Sequence, residues 1–171
     1  MSLKDTYLNT EYAKQFHIYS NYLELNDDLK SFVETRLKLI GVNDITKIKG
    51  IYIHPFSSTS IDLSKNKELI NAIQQYRINI NQGINTELGV SFTKGNFYYA
   101  IGLAYILNMR INNKGELDVL LFDTYDFNKK DDRPLVIAGK ILQDLGIIKP
   151  FFVFYHVIIP KSETDKILEN K

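Results

Sequence analysis

Side chains that bind metals, move protons or hold phosphate follow directly on an apolar segment in the sequence LLFDTYDFNKKDDRP. Asp123 and Asp126 supply carboxylates, and Tyr125 supplies a phenol between them. Carboxylates partly shielded by apolar neighbours hold a divalent cation or act as a general base. Arg133 follows, and its planar guanidinium suits a phosphate oxygen. These residue types at this spacing predict a phosphate site in which Asp123 and Asp126 hold a divalent cation or act as a general base.

A structural interpretation of the same stretch remains open. Asp and Asn commonly end strands because their side chains hydrogen-bond to the backbone of turns. Asp132, shortly before Pro134, is suited to cap the next helix. The hydroxyl of Tyr125 is suited to a hydrogen bond at the rim of a sheet. On spacing alone, structural and catalytic roles both account for these residues.

The run DTYD (123–126), with Arg133 seven residues further on, resembles the catalytic motif of colicin M-type bacteriocins. That motif reads Asp, any residue, Tyr, Asp and then a His-Arg pair, and the match covers 123–133. The resemblance implies an α/β architecture around an open, barrel-like sheet and a magnesium-dependent phosphodiesterase. It also implies the substrate lipid II, a polyprenyl-linked pyrophosphate precursor of peptidoglycan, cleaved in the periplasm of the target cell.

By position, the resemblance assigns catalytic roles to Asp123, Tyr125, Asp126 and Arg133, with Mg²⁺ as cofactor. Asp132 stands where the family has its histidine, directly before the arginine. An aspartate binds metal or accepts a proton, but with an ordinary pKa of about 4 it is a weaker base at neutral pH than imidazole. The implied partners are the lipid-linked pyrophosphate substrate and a cognate immunity protein.

Two histidines outside the motif are candidates for the missing base. His54, in YIHPFSSTS, follows a predicted strand in a segment rich in hydroxyls, where functional residues often collect. If His54 reaches the carboxylates, its pKa should lie above about 6.5. His156, in FFVFYHVII, fits a core histidine with satisfied ring nitrogens better. A Ser57–His54 nucleophilic pair would lack the G-x-S-x-G turn that exposes a serine.

Two classes of function therefore remain open. The first is a toxin-type hydrolase acting on a pyrophosphate-linked lipid intermediate. The second is a non-catalytic binding or immunity-type interaction module, favoured by Asp132 in the histidine's place and by the near-neutral charge. Geometry discriminates between them, because catalysis requires the carboxylates and the arginine to converge around one open cleft.

The composition fits one globular domain and excludes several kinds of site. A chain of 171 residues with 44% hydrophobic content buries roughly two thirds of its unfolded surface. The 21 basic and 20 acidic residues nearly cancel, so nucleic acid is not an expected partner. The absence of cysteine excludes thiolate metal sites, thiol nucleophiles and disulfides. Neither a secretory signal nor a transmembrane segment is expected, since the longest apolar run is far shorter than the roughly 20 residues that a spanning helix needs.

Helical spacing of apolar residues predicts most of the first half. Helices are expected over 28–40 and over 65–80, the second capped by Ser64. One late helix should start at Pro134. The segment 161–171 is typical of a solvated or short helical tail.

Alternating apolar residues predict a sheet in the second half. Odd positions are large and apolar throughout 97–111, NNKG turns the chain, and the alternation resumes at Leu117. A long antiparallel hairpin is therefore expected, and Asp123 and Tyr125 continue its buried parity. KGIYIHPF predicts a short strand before a turn at SSTSID, GVSF predicts another, and FFVFYHVII suits an interior strand.

This order of elements defines an α+β fold of a single domain, 1–171. Residues 1–80 should be mostly helical, 81–160 mostly sheet, and 161–171 a tail. The sheet should be mainly antiparallel and carry the one late helix, and the resemblance implies an open, barrel-like shape for it.

Overall fold

In the computed structural model, the described part of the chain comprises residues 50–82, 88–125, 134–147 and 151–169, together with Ser31, Thr35 and Lys38. Its elements in chain order are β1 (Gly50–Ile53), α1 (Ser58–Ser64), α2 (Lys67–Gln75), a 3₁₀ helix (Arg77–Asn79), β2 (Leu88–Ser91), α3 (Gly95–Ala100), β3 (Leu103–Ile111), β4 (Leu117–Tyr125), α4 (Pro134–Asp144), β5 (Phe151–Ile159) and α5 (Lys161–Glu169). The predicted helix over 28–40 is helical at its three described positions and otherwise lies outside the described residues.

The strands form one five-stranded sheet in the order β1-β5-β4-β3-β2. β1 pairs with β5 in parallel, and the other neighbouring strands pair antiparallel. The predicted hairpin is present as β3 and β4, and FFVFYHVII is interior between β1 and β4. These findings confirm the α+β class with a mainly antiparallel sheet and a late helix. β1 and β2 are the edges of this sheet, which is open and is not closed into a barrel.

One face of the sheet packs against helices. Leu117, Val119 and Leu121 of β4 are fully buried, as predicted, but Leu120 and Phe122 of the opposite parity are buried as well. Buried side chains of α1 and α2 join the same apolar core: Leu63, Leu69 and Ile73. Because alternate strand residues point to opposite sides, Asp123 continues this helix-covered face.

The predicted strand over 97–111 is wrong in its first part, where the chain forms α3 instead. The N–H groups of Ile101 and Gly102 both donate to the carbonyl of Phe97, at 2.8 and 2.9 Å. Gly102 has a φ of +72°, a backbone conformation that favours glycine and separates α3 from β3. Local hydrogen bonds and this glycine therefore override the alternating pattern.

The buried parity of β3 also changes along the strand. The pairing of β3 with β4 shifts between Ile106 and Asn108, which marks a bulge. Burial accordingly passes from Ala104 and Ile106 to Leu107 and Met109. A strict period of two fails here because the bulge adds one residue to one strand only.

The segment SSTSID, predicted as a turn, forms α1. The Oγ of Ser57 accepts the N–H of Ser60 at 3.1 Å and so caps this helix. Asn66 caps α2, with its Oδ1 accepting the N–H of Leu69 at 2.9 Å. The predicted capping role of Ser64 is therefore wrong.

The C-terminal segment predicted as a tail contains α5, which joins the core. Thr164 is 1% exposed. Its Oγ1 accepts the N–H of Leu117 at 3.1 Å and lies 3.2 and 3.1 Å from the carbonyl oxygens of Ile159 and Pro160. Ile167 is buried in the same cluster. Within the described residues, no helix is long and apolar enough to cross a membrane.

Candidate functional site

The carboxylate of Asp123 belongs to the helix-covered face of the sheet, near the end of β4. Asp123 pairs with Val153 of β5 and is 7% exposed. The predicted continuation of the buried parity to Asp123 is confirmed, and Tyr125 is the last residue of β4. The strand thus carries an acidic residue at a position that the preceding apolar residues mark as core.

The remaining members of the motif, Asp126, Asp132 and Arg133, lie outside the described residues. Their predicted convergence with Asp123 around one cleft stays a prediction. Within the described ranges, no group of three or more His, Asp or Glu side chains is placed to hold a metal ion. Asp123 is the described member of the predicted metal pair, and its carboxylate oxygens are of the kind that Mg²⁺ prefers.

His54 follows β1 directly and lies against Tyr52, with the two ring centroids 6.5 Å apart. The N–H of Phe56 donates to His54 Nδ1 at 3.1 Å, so the neutral ring carries its proton on Nε2. Burial, and next the nearby His156, lower the pKa of His54 from its usual value. A raised pKa was expected only if His54 contacts the carboxylates, and the lowered pKa shows no such contact with the described Asp123.

The strand register keeps His54 away from Asp123. Asp123 pairs with Val153, and Val153 pairs with Ile51, so Asp123 lies at the level of Ile51 in β1. His54 comes three residues later in the chain. It also shares the side of Tyr52, which is opposite to that of Asp123 because alternate strand residues point to opposite faces.

Ser57 is engaged in local structure and not in a nucleophilic pair with His54. Its backbone N–H donates to the carbonyl of His54 at 3.0 Å, and its Oγ caps α1. The hydroxyl of Ser57 therefore serves the start of this helix.

The side chain of His156 links three strands on the face of the sheet opposite to Asp123. Its Nε2 lies 2.8 Å from Asp118 Oδ1 on β4, and its Nδ1 lies 2.5 Å from the hydroxyl of Tyr52 on β1. Both ring nitrogens are hydrogen-bonded, as predicted. The side chains of His156 and Asp118 are 12% and 18% exposed, so this histidine is half-buried and not at the centre of the core.

Sequence reasoning missed Asp118 and Tyr52 as partners of His156. Tyr52 and His156 are 104 residues apart and meet only because β1 inserts beside β5 in parallel. Alternation assigns each residue to a face of its strand, but it does not determine which strands are neighbours. The sequence did indicate that Tyr52 and His54 point to the same side of the chain, because they are two residues apart in a predicted strand.

A separate cleft of about 300 Å³ opens beside α1 and the start of α3. Polar side chains line much of it, including Asp62 and Lys94. Neither Asp123 nor His156 is part of this lining.

In comparisons with family models, curated proteins and solved structures, no match to this chain is found.

Proposed function

We propose that this chain is a toxin-type hydrolase that cleaves a polyprenyl pyrophosphate-linked peptidoglycan precursor, as its resemblance to colicin M-type bacteriocins implies. The observation that carries the proposal is the burial of Asp123 inside β4. Asp123 begins the matched motif, and the motif continues from this strand towards α4.

The position of Asp123 differs from that of an aspartate that ends a strand. An aspartate that ends a strand by bonding a turn is expected at the terminus and in contact with water. Asp123 instead lies two residues before the end of β4. It is on the same side of the strand as three fully buried aliphatic side chains that precede it. Aspartate is depleted in strands and rarely buried, because burying a carboxylate costs free energy unless it is compensated. Such positions often mark functional sites.

In this proposal Mg²⁺ is held by Asp123 and Asp126. When bound, the ion would neutralise charge on the pyrophosphate. Arg133 pairs with a phosphate oxygen, and Asp132 accepts the proton that the family's histidine would accept. Tyr125 supplies a hydroxyl next to the two carboxylates.

The test is hydrolysis of lipid II by the purified chain with magnesium present. We expect release of the pyrophosphorylated sugar-peptide and a loss of roughly a hundredfold or more in Asp123→Asn. Asp165→Asn is the matched control, because Asp165 is half-exposed in a surface ion pair with Lys161. Asp126→Asn serves as a second variant if Asp123→Asn does not fold. No turnover by the folded wild-type chain, beside an active control enzyme, would sink the proposal.

A non-catalytic binding or immunity-type module is the second candidate function. The observation that favours it is the placement of His54 and His156 on the face opposite to Asp123, together with Asp132 at the motif's histidine position. This alternative predicts no turnover with or without magnesium.

A further inference from the structure

Asp118, His156 and Tyr52 form a hydrogen-bonded row across β4, β5 and β1. A carboxylate only accepts hydrogen bonds, so Asp118 holds the proton of neutral His156 on Nε2. His156 Nδ1 is then an acceptor, and the hydroxyl of Tyr52 is its donor. When His156 is neutral, the row has one direction, with the phenol proton pointing at an imidazole that a carboxylate orients.

The row is built from diagonal neighbours in the sheet. His156 pairs with Leu120, which is two residues from Asp118 along β4. Tyr52 pairs with Phe154, which is two residues from His156 along β5. Diagonal neighbours lie within reach of long side chains. A cross-strand polar contact that served only stability would need no particular order of groups. A hydroxyl bonded to a histidine that is bonded to a carboxylate is the arrangement of an activated nucleophile.

We propose that Tyr52 is the nucleophile of a second site, which takes a small, uncharged acyl ester. In the step, the Tyr52 oxygen forms a bond to the acyl carbon, and the bond from that carbon to the leaving alkoxide or phenoxide breaks. The phenol proton passes to His156 Nδ1 and from there to the leaving group. Water then hydrolyses the acyl-tyrosine, and the hydroxyl of Tyr52 is restored.

Charge and burial define this substrate class. Arg110, a cation on the same face, is opposite Asp118 on β3. It is three strand spacings from Tyr52, or roughly 14 Å, too far to neutralise a phosphoryl group there. Tyr52 is 6% exposed and lies on an edge strand of the described sheet, so a substrate of this site has to be small. The site is independent of the proposed function, because Asp123 lies on the other face.

The probe is p-nitrophenyl acetate added to the purified full chain at neutral pH, followed by acid quenching, digestion and mass spectrometry. We expect a burst of p-nitrophenolate and one acetyl group on Tyr52, added at least about tenfold faster than on Tyr76. Tyr76 is the reference phenol, since its hydroxyl donates to the backbone carbonyl of Gly89 at 3.5 Å and, within the described residues, is not bonded to an imidazole. A Tyr52 that is unmodified, or modified no faster than Tyr76, overturns the proposal.

Variants then test the row itself. Asp118→Asn and His156→Gln should each slow acetylation of Tyr52 about tenfold or more, while Asp165→Asn leaves the rate unchanged. His54→Gln removes a competing imidazole and should leave the Tyr52 burst intact. An unchanged Tyr52 rate in folded Asp118→Asn, with folding checked by circular dichroism, overturns the relay. If His156→Gln unfolds, the proposal is still decided by the acetylation rate of Asp118→Asn and by the position of the acetyl group in the wild-type chain.

Discussion

The imidazole of His54 lies in surroundings that disfavour its positive charge. Burial is the larger cause of its lowered pKa, and the nearby His156 is the second. In the unfolded chain the pKa of a histidine is about 6.5, so between that value and the native pKa the unfolded state binds more protons. The free energy of unfolding therefore decreases as pH falls from about 6.5 through the native pKa of His54.

An NMR titration of the His54 ring checks this direction. We expect a midpoint below 6.5, the reference value from which the pKa is lowered. His54→Gln should flatten the fall of stability with acid in the same interval. A midpoint at or above the reference value would mean that an acidic group, and not burial, has the larger effect on the pKa of His54.

Two buried serines of α1 should respond in opposite ways to the same substitution. Within the described part of the chain, the Oγ of fully buried Ser60 has no hydrogen-bond partner, whereas Ser64 Oγ donates to the carbonyl of Ile61 at 2.7 Å. Removing an unsatisfied polar group is neutral or favourable, and removing a bonded one costs about 1 kcal/mol. In urea unfolding we expect Ser60→Ala to be at least as stable as wild type, and Ser64→Ala to be about 1 kcal/mol less stable than Ser60→Ala. The reverse order would show that Ser60 is bonded in solution.

At the scale of elements, a side-chain hydroxyl of α5 is bonded to the backbone of β4. Thr164 Oγ1 accepts the N–H of Leu117, the first residue of β4. Thr164→Val should leave this N–H without its acceptor and lower stability by about 1–3 kcal/mol. Hydrogen exchange at the Leu117 amide should accelerate in Thr164→Val and stay slow in Thr164→Ser, which keeps the hydroxyl. Equal exchange in both variants would contradict this bond.

The elements that sequence patterns predicted well are those whose periodicity agrees with local hydrogen bonding. The alternation through Leu117, Val119 and Leu121 predicted β4 and the burial of Asp123 correctly. It failed at α3, where bonds to the Phe97 carbonyl and the conformation of Gly102 outweigh a pattern of odd apolar residues. It also failed within β3, because a bulge is not visible as a change in residue type.

At the scale of the whole molecule, stability should depend on the helix-covered face of the sheet and little on α4. Ile73 of α2 is fully buried, whereas Ile141 of α4 is 55% exposed. Ile73→Ala should lower the free energy of unfolding by about 2–5 kcal/mol, and Ile141→Ala should change it by about 0.5 kcal/mol or less. Denaturant melts of the two variants make the comparison, and equal losses would mean that α4 is packed in solution.

The order of strands is the feature that sequence could not supply. Neighbouring strands in the hairpin are linked by a short turn and are therefore predictable, but β1 reaches β5 across most of the chain. That single parallel pairing places Tyr52 beside His156, and it places His54 on the face of the sheet opposite to Asp123. The burial of Asp123 was thus predictable, and the row of Tyr52, His156 and Asp118 was not.

The central claim, cleavage of a polyprenyl pyrophosphate-linked precursor with Asp123 at the site, is tested most directly by identifying the product. Lipid II is incubated with the folded chain and magnesium, and the water-soluble product is analysed by mass spectrometry. The account predicts a sugar-peptide that retains both phosphates, formed by wild type and Asp165→Asn and lost in Asp123→Asn. Intact lipid II after incubation with wild type, or product formed equally by Asp123→Asn, would contradict it.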